Sequence, residues 1–445
     1  MSAANDEKRR NGRLTHRTVL TIAVPVMLSN ASTPLIGVVD TAVVGRIPDP
    51  AFIGAVAVGS LIFTFVFWGF GFLRMGTTGL TAQAFGAGDR DEVAANLGRA
   101  LLIAAAVGLV LIALQWPIRE AAFLMLSGSS HVENLARGYF DVRIWAAPAT
   151  LANYALLGWY IGLGRTDVGL VLQLVLNLSN MALDALFVIG FGWDVQGVAL
   201  GTLGAEYLAA TLGIALAWRA LRRDGQRLSL ARLLDPERLR RTFGVNSDIM
   251  LRSLALITVF VWFMAQGARQ GDVILAANAV LMHFISVAAF FLDGLAFAAE
   301  ALVGRAIGAR HRSGLIAAAR ITTAWAAGTA VLIVIGLAIA GPALIDMMTV
   351  DGAARSAARA YLPWAVVAPL LGVWAFQLDG IFIGATRTVQ MRNAALVTVV
   401  IYLLAWWVLR PYGNHGLWAA LYVQYLARIG ALLAYYPGLV RSVAA

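Results

Sequence analysis

Two carboxylates stand where lipid would be expected to surround them. Asp40 lies in TPLIGVVDTAVVG (33–45) and Asp184 in NLSNMALDALFVIG (177–190). An aspartate at the bilayer centre costs about 2.5–3.5 kcal/mol on insertion scales, so acids kept there face a partner or water and commonly serve proton or ion relays. Asn177, Asn180 and Asp184 are spaced i, i+3, i+7 and share one helical face. Asp184 precedes the outer-loop residue Asp194 by ten positions and Thr202 follows it by eight, about 15 Å and about 12 Å down at ~1.5 Å per residue. Asp40 lies six residues before Arg46, about 9 Å below the outer end of its span. Three helices thus bring oxygens to a similar depth. Two carboxylates, an amide and a hydroxyl can hold a hard monovalent cation such as Na+. The same two acids, close together in a low dielectric, cannot both stay ionised and can instead share a proton. A bland reading, hydrogen bonds that merely bridge helices, stays open, more so for Asn177 than for the two acids.

These residues require membrane-spanning helices to position them, and the composition provides them. The 445 residues are 60% hydrophobic and 13% charged, with a mean hydropathy of +0.77. Apolar stretches of about 20 residues, the span of a hydrocarbon core, recur from end to end. Barrel strands would instead alternate over about 10 residues. Twelve segments are expected: 19–45, 52–82, 95–116, 137–163, 168–191 and 195–218, then 246–268, 273–303, 317–341, 357–384, 393–410 and 416–438. The basic start (Lys8, Arg9, Arg10, Arg13, Arg17) leads into a segment too long for a signal-peptide core. With no cysteine, disulfides, thiolate metal sites and thiol nucleophiles are excluded. The net charge of +10 sits in alternating loops, which reads as topology and headgroup contact rather than nucleic-acid binding. The polar stretch 218–241 and the loops carrying Arg90, Arg165, Arg305, Arg310, Arg312, Arg387 and Arg392 are therefore expected in the cytoplasm, with both termini. Segment 117–136 is expected to be an outer loop.

The two halves repeat. TAQAFGAGDRDEV (81–93) matches LVGRAIGARHRSG (302–314) with Gly86 over Gly308, and GLGRTD (162–167) matches GATRTV (384–389) with Arg165 over Arg387, both 222 residues apart. VQGVALGT resembles GNHGLWAAL with Gly197 over Gly416, 219 residues apart. Six spans per half send both halves into the membrane in the same direction. The expected fold is an all-α polytopic membrane protein. Its twelve helices form two six-helix bundles, related by a pseudo-two-fold axis along the membrane normal and V-shaped around a central cleft. The expected divisions are 1–18, a basic cytoplasmic N-terminus; 19–218, the first bundle; 219–245, a cytoplasmic linker; and 246–440, the second bundle. At the repeat offsets Asp40 falls on Trp262, Asp184 on Trp406 and Thr202 on Leu421, so the cation site is expected in the first bundle alone.

The motifs PLIGVVDTAVVGR (34–46), LRMGTTGLTAQAFGAGD (73–89), LVLNLSNMALDALFV (174–188), LDGLAFAAEALVGRAIGAR (292–310) and LDGIFIGATRTVQMRN (378–393) run in order along the chain. Through them the chain resembles the multidrug and toxic compound extrusion (MATE) transporters, most closely their DinF-like branch. The resemblance implies an exporter that exchanges an inward proton or sodium ion for an outgoing organic, often cationic and amphipathic, compound. It assigns cation coupling to the acids, amide and hydroxyl matching Asp40, Asp184, Asn180 and Thr202; the shared helical face, not the resemblance, adds Asn177 as an extension. It puts an acid of the tenth span at Asp379, able to meet cationic substrate.

Other polar residues of the spans are Arg74, Glu206, Asp293 and Glu300, read as charge pairs or cleft residues, with Arg74 a candidate partner for one of the acids. Pro25 and Pro34 interrupt the first span and are hinge candidates, since proline removes a backbone donor and bends a helix. No HExxH, P-loop or GxSxG occurs, so neither an enzyme nor an ATP-driven pump is expected. The leading expectation is a proton-coupled exporter in a bacterial-type inner membrane, monomeric, without cofactor, its partners being small organic substrates and the lipid bilayer. A sodium-coupled exporter is the near alternative. A lipid-linked precursor flippase is the distant one, disfavoured because acids outnumber arginines in the spans.

Overall fold

The computed structural model describes residues 14–45, 49–126, 129–223, 225–226 and 229–443. Lys8, Arg9, Arg10, Arg13, Arg46 and Arg227, used above to set topology and depth, lie outside the described residues. Every regular element among the described residues is helical. In chain order these are α1 His16–Val44, α2 Ala51–Trp68, α3 Phe72–Gly86, α4 Arg90–Ala113, α5 Gln115–Met125, α6 Ser130–Arg143, α7 Ala147–Gly162 and α8 Thr166–Asp184. They continue with α9 Val195–Arg223, α10 Leu230–Leu233, α11 Pro236–Ala268, α12 Asp272–Gly308, α13 Arg312–Met348, α14 Gly352–Gly384, α15 Thr388–Leu409 and α16 Gly413–Ser442. Nine helical stretches among the described residues are long and apolar enough to cross a membrane. The protein is an integral membrane protein.

The helices follow the expected apolar segments, with local differences that have physical causes. The second segment breaks between α2 and α3 at Gly69 and Gly71, residues of low helix propensity. The fourth is built from α6 and α7 joined by a 3₁₀ turn at Ile144–Ala146, where Pro148 cannot donate to the preceding turn. Segment 117–136 is a correction: it is largely helical, holding α5 and the start of α6. There Arg119 donates to both oxygens of Asp141 at 2.8 Å, and Arg137 donates to Glu120 at 2.6 Å. Pro25 and Pro34 do not interrupt the first span either. α1 continues through both, so each removes one donor without ending the helix.

Two compact units divide the chain. The first comprises Leu28–Thr81 and Asp89–Phe243. The second comprises the described residues up to Met27, Ala82–Gly88 and the chain from Gly244. Within the first unit, the described linker residues Arg232 and Arg238 are tied to the start of α4. Asp89 caps α4 by accepting from the Glu92 N–H at 3.1 Å, and Arg232 of α10 donates to the same carboxylate at 2.6 Å. Glu92 is gripped by Arg99 and Arg238. Within the second unit, small residues let helices touch. A Cβ at Gly380 or Gly384 of α14 would collide with the backbone of Ala296 or Glu300 on α12. This close approach, common between membrane helices, seats the Asp379 end of α14 directly on α12.

Candidate functional site

The acids of α1 and α8 meet in the first unit. Asp184 is fully buried at the last residue of α8. Beyond it the helix widens into a π-turn over Ala185–Gly190, with the Phe191 N–H donating to the Leu186 carbonyl at 3.0 Å. Single π-turns inside helices gather at functional sites, because one extra residue per turn re-aims the side chains beside it. Gly201 of α9 faces Asp184 so closely that a Cβ there would strike the carboxylate. That glycine is what allows α9 to lie against the acid.

The Asp40 and Asp184 carboxyl groups are close enough to act on each other. Taken as carboxylates, both oxygens of Asp184 and one of Asp40 are buried with no donor. One proton held between them turns one acid into a donor and relieves part of that deficit. Asn180 donates from Nδ2 to the Thr202 hydroxyl at 3.1 Å, and that hydroxyl donates to the Val198 carbonyl at 3.0 Å. The Asn180 carbonyl oxygen is buried and unpartnered. Asn177 faces elsewhere: it donates to the Ser32 hydroxyl at 2.8 Å and accepts from Gln173 at 2.8 Å. Asn177 therefore ties α8 to α1 by a satisfied bridge, while Asp40, Asn180 and Asp184 keep oxygens with nothing to bind.

Two neighbours of the pair escaped the sequence reading. Arg143 is the cation that acts on both acids, and the Tyr139 hydroxyl is close enough to feel them. Arg143 makes no ion pair with either. It bonds Glu206 at 3.4 Å, and its guanidinium lies over Phe63 and Phe67 at 5.4 and 5.6 Å from the ring centroids. Glu206 also accepts from Asn153 at 2.8 Å. Arg143 sits near the polar end of an expected span, where a single arginine carries no signal in sequence. Among the described residues no three His, Cys, Asp or Glu side chains gather as a metal site.

The second unit treats its acid differently. Asp379 is held between Arg252 of α11 and Arg428 of α16. Asp293 and Glu300 act electrostatically on Arg252, and Asp293 on Arg428 as well. Of the acids that Arg74 could have paired with, Asp379 has two other arginines and Glu206 has Arg143. Asp248 is likewise satisfied, accepting from Arg392 at 2.7 Å and Thr388 at 2.9 Å. At the positions that repeat Asp40 and Asp184, Trp262 and Trp406 pack edge to face with ring centroids 5.2 Å apart. Tyr402, 222 residues after Asn180, and Leu421 are buried in the same core.

Comparisons with known proteins bear on these two units. The MatE family pattern matches residues 25–186 and again 249–408, one match in each half of the sequence. DNA damage-inducible protein F of Escherichia coli (strain K12) is 40% identical over 413 residues, 93% of this chain and 90% of that protein. A probable multidrug resistance protein NorM of Deinococcus radiodurans is 28% identical, covering 88% of this chain and 86% of its own. An outward-facing multidrug resistance MATE family transporter of the MOP superfamily superposes with a TM-score of 0.87 at 17% identity, over 97% of both chains. A MOP superfamily transporter from Pyrococcus furiosus does so with a TM-score of 0.85, also at 17% identity and over 97% of both chains.

Proposed function

We propose, for a chain that belongs to the MatE family of multidrug transporters, that it exports amphipathic, often cationic organic compounds in exchange for inward protons by alternating access. The observation that carries this reading is the buried Asp40–Asp184 pair. The two acids act on each other, only the Asn180 amide stands near Asp184 as a donor, and no ion pair to either acid is present among the described residues. A group that must pick up and release a proton cannot be permanently neutralised by an arginine. In this mechanism protons from the outer, proton-rich side load the pair. Loss of its negative charge ends the repulsion between the two acids and lets α1 change its seat against α8, with Pro25 and Pro34 absorbing the bend, and substrate leaves outward. On the inner side the proton departs, the charged acids repel again, and α1 returns. The chain is read as a monomer in a bacterial-type inner membrane with both termini in the cytoplasm, without cofactor.

Sodium coupling is the second reading, and a specific observation favours it. The Asn180 carbonyl oxygen is unpartnered beside the two acids and the Thr202 hydroxyl, an all-oxygen set suited to a hard cation. Efflux from proteoliposomes under separately imposed proton and sodium gradients decides between the two. Proton coupling predicts efflux driven by a pH gradient alone, lost in Asp40→Asn and Asp184→Asn. Efflux that persists in both variants would sink either form of the proposal.

A further inference from the structure

Where α13 begins and α16 ends, the second unit has an open surface cavity of about 440 Å³ lined by Arg312, Ile316, Tyr436, Pro437, Val440 and Arg441. Two guanidinium groups flank it and no acid lines it. Neither arginine has an ion pair among the described residues; Arg441 only reaches back to its own Pro437 carbonyl at 3.3 Å. Arg392 of the same unit shows the contrast, since it is paired with Asp248. Two like charges sharing one cavity repel unless an anion lies between them.

Apart from the Tyr436 hydroxyl, the rest of the lining is hydrocarbon. Ile316 stands one turn along α13 from Arg312, and Val440 lies beside Arg441 on α16. Pro437 lies inside α16, where it withdraws one backbone donor beside the cavity. Tyr436, part buried, places a polar tip and an apolar ring at the junction, the disposition favoured at membrane interfaces. Cationic rim, apolar wall and position at the ends of two membrane-spanning helices together match an amphiphile. A soluble anion would use the rim and leave the wall unfilled.

We propose that this cavity binds one anionic phospholipid, its phosphate between Arg312 and Arg441 and an acyl chain along Ile316 and Val440. Basic pockets between helix ends on the cytoplasmic side are the form such sites take. The inference needs only a membrane-embedded chain and does not depend on which ion drives transport.

The test uses the full-length protein in nanodiscs or micelles. Native mass spectrometry counts retained phosphatidylglycerol and phosphatidylcholine, with thermal unfolding measured alongside. The wild type is expected to retain one phosphatidylglycerol in preference to phosphatidylcholine, and to resist displacement by a large excess of inorganic phosphate. Arg312→Gln with Arg441→Gln is expected to lower that preference about thirtyfold. Arg312→Lys with Arg441→Lys, which keeps the charge, is expected to retain most of it and serves as the folding control. Ile316→Ser is expected to weaken lipid retention without changing the response to phosphate. An unchanged lipid preference in the double glutamine variant would overturn the proposal. So would displacement of the lipid by inorganic phosphate, which would make this a free-anion site.

Discussion

The two units bury acids in opposite electrostatic settings. In the first, Asp40 and Asp184 lie against each other, with their nearest arginine engaged elsewhere by Glu206. In the second, Asp379 lies between two arginines from different helices. A buried ion pair contributes little net stability, yet removing one partner strands a charge and is strongly destabilising. A buried acid pair has the opposite character: it is costly while charged and is relieved by a proton. The comparison teaches that a membrane acid reports function only through its partners. Asp379 and Asp184 look equally anomalous in sequence, yet one lies between two arginines and the other against a second acid.

The comparison can be broken most directly by exchanging loss of charge between the units. Asp184→Asn is expected to reduce efflux to background while leaving the unfolding temperature unchanged or higher, because it removes an acid that nothing neutralises. Arg428→Ala is expected to do the reverse in kind, costing about 3–5 kcal/mol of stability by unbalancing the Asp379 crosslink. Differential scanning fluorimetry beside an efflux assay reads both. If Asp184→Asn destabilises as much as Arg428→Ala, the first site is structural like the second.

A smaller effect sharpens the geometry of the first site. Gly201→Ala puts a methyl group against the Asp184 carboxylate, so α9 must shift, at a cost of about 1–3 kcal/mol. The pH dependence of efflux should move with it, since the distance between the acids sets how tightly they share a proton. An unchanged pH profile with normal efflux would show that α9 does not position the pair. Thr202→Val is milder still. It removes the hydroxyl that accepts from Asn180 and costs about 0.5–1.5 kcal/mol. Sodium-driven efflux should suffer more than proton-driven efflux if that hydroxyl serves as a cation ligand, and the ratio of the two rates measures this.

The smallest effect lies outside the spans. Burial alone would raise the Asp89 carboxyl, but the Glu92 N–H and the Arg232 guanidinium outweigh it and hold Asp89 below its ordinary value of 3.8. A carboxylate depressed in the folded state stabilises above its unfolded value, and that stabilisation is lost as pH falls through the folded one. Linker anchoring should therefore persist at neutral pH and fail only in acid. Proteolysis of the 224–229 segment should rise at low pH in the wild type, and at neutral pH in Asp89→Ala. Equal cleavage at both pH values in the wild type would show that the clamp does not hold the linker.

Much of this was legible in sequence because membrane physics restricts the choices. Hydropathy marked the spans, since a lipid-exposed backbone must satisfy itself within a helix. The i, i+3, i+7 spacing put Asn177, Asn180 and Asp184 on one face, and helical rise brought Asp40 and Thr202 near the same depth. The sequence reading places Asn180 in the set and Asn177 only at its edge; the contact with Ser32 shows that Asn177 is occupied. It does not find Arg143, Arg252 or Arg428. Each is a lone arginine whose meaning depends on the side chain that a distant helix brings to it.

The sequence by itself determined the helices, the repeat, the family and the acids that sit in the spans, because these follow from local hydropathy and regular helical geometry. The tertiary structure decided which acid has a counter-charge. That depends on helices far apart in the chain meeting at particular turns: α11, α14 and α16 around Asp379, and α1 and α8 at Asp40 and Asp184, with the missing side chain of Gly201 leaving room for the carboxylate. The cost of a buried charge is set by atoms a few ångströms away, and no spacing along one helix specifies them.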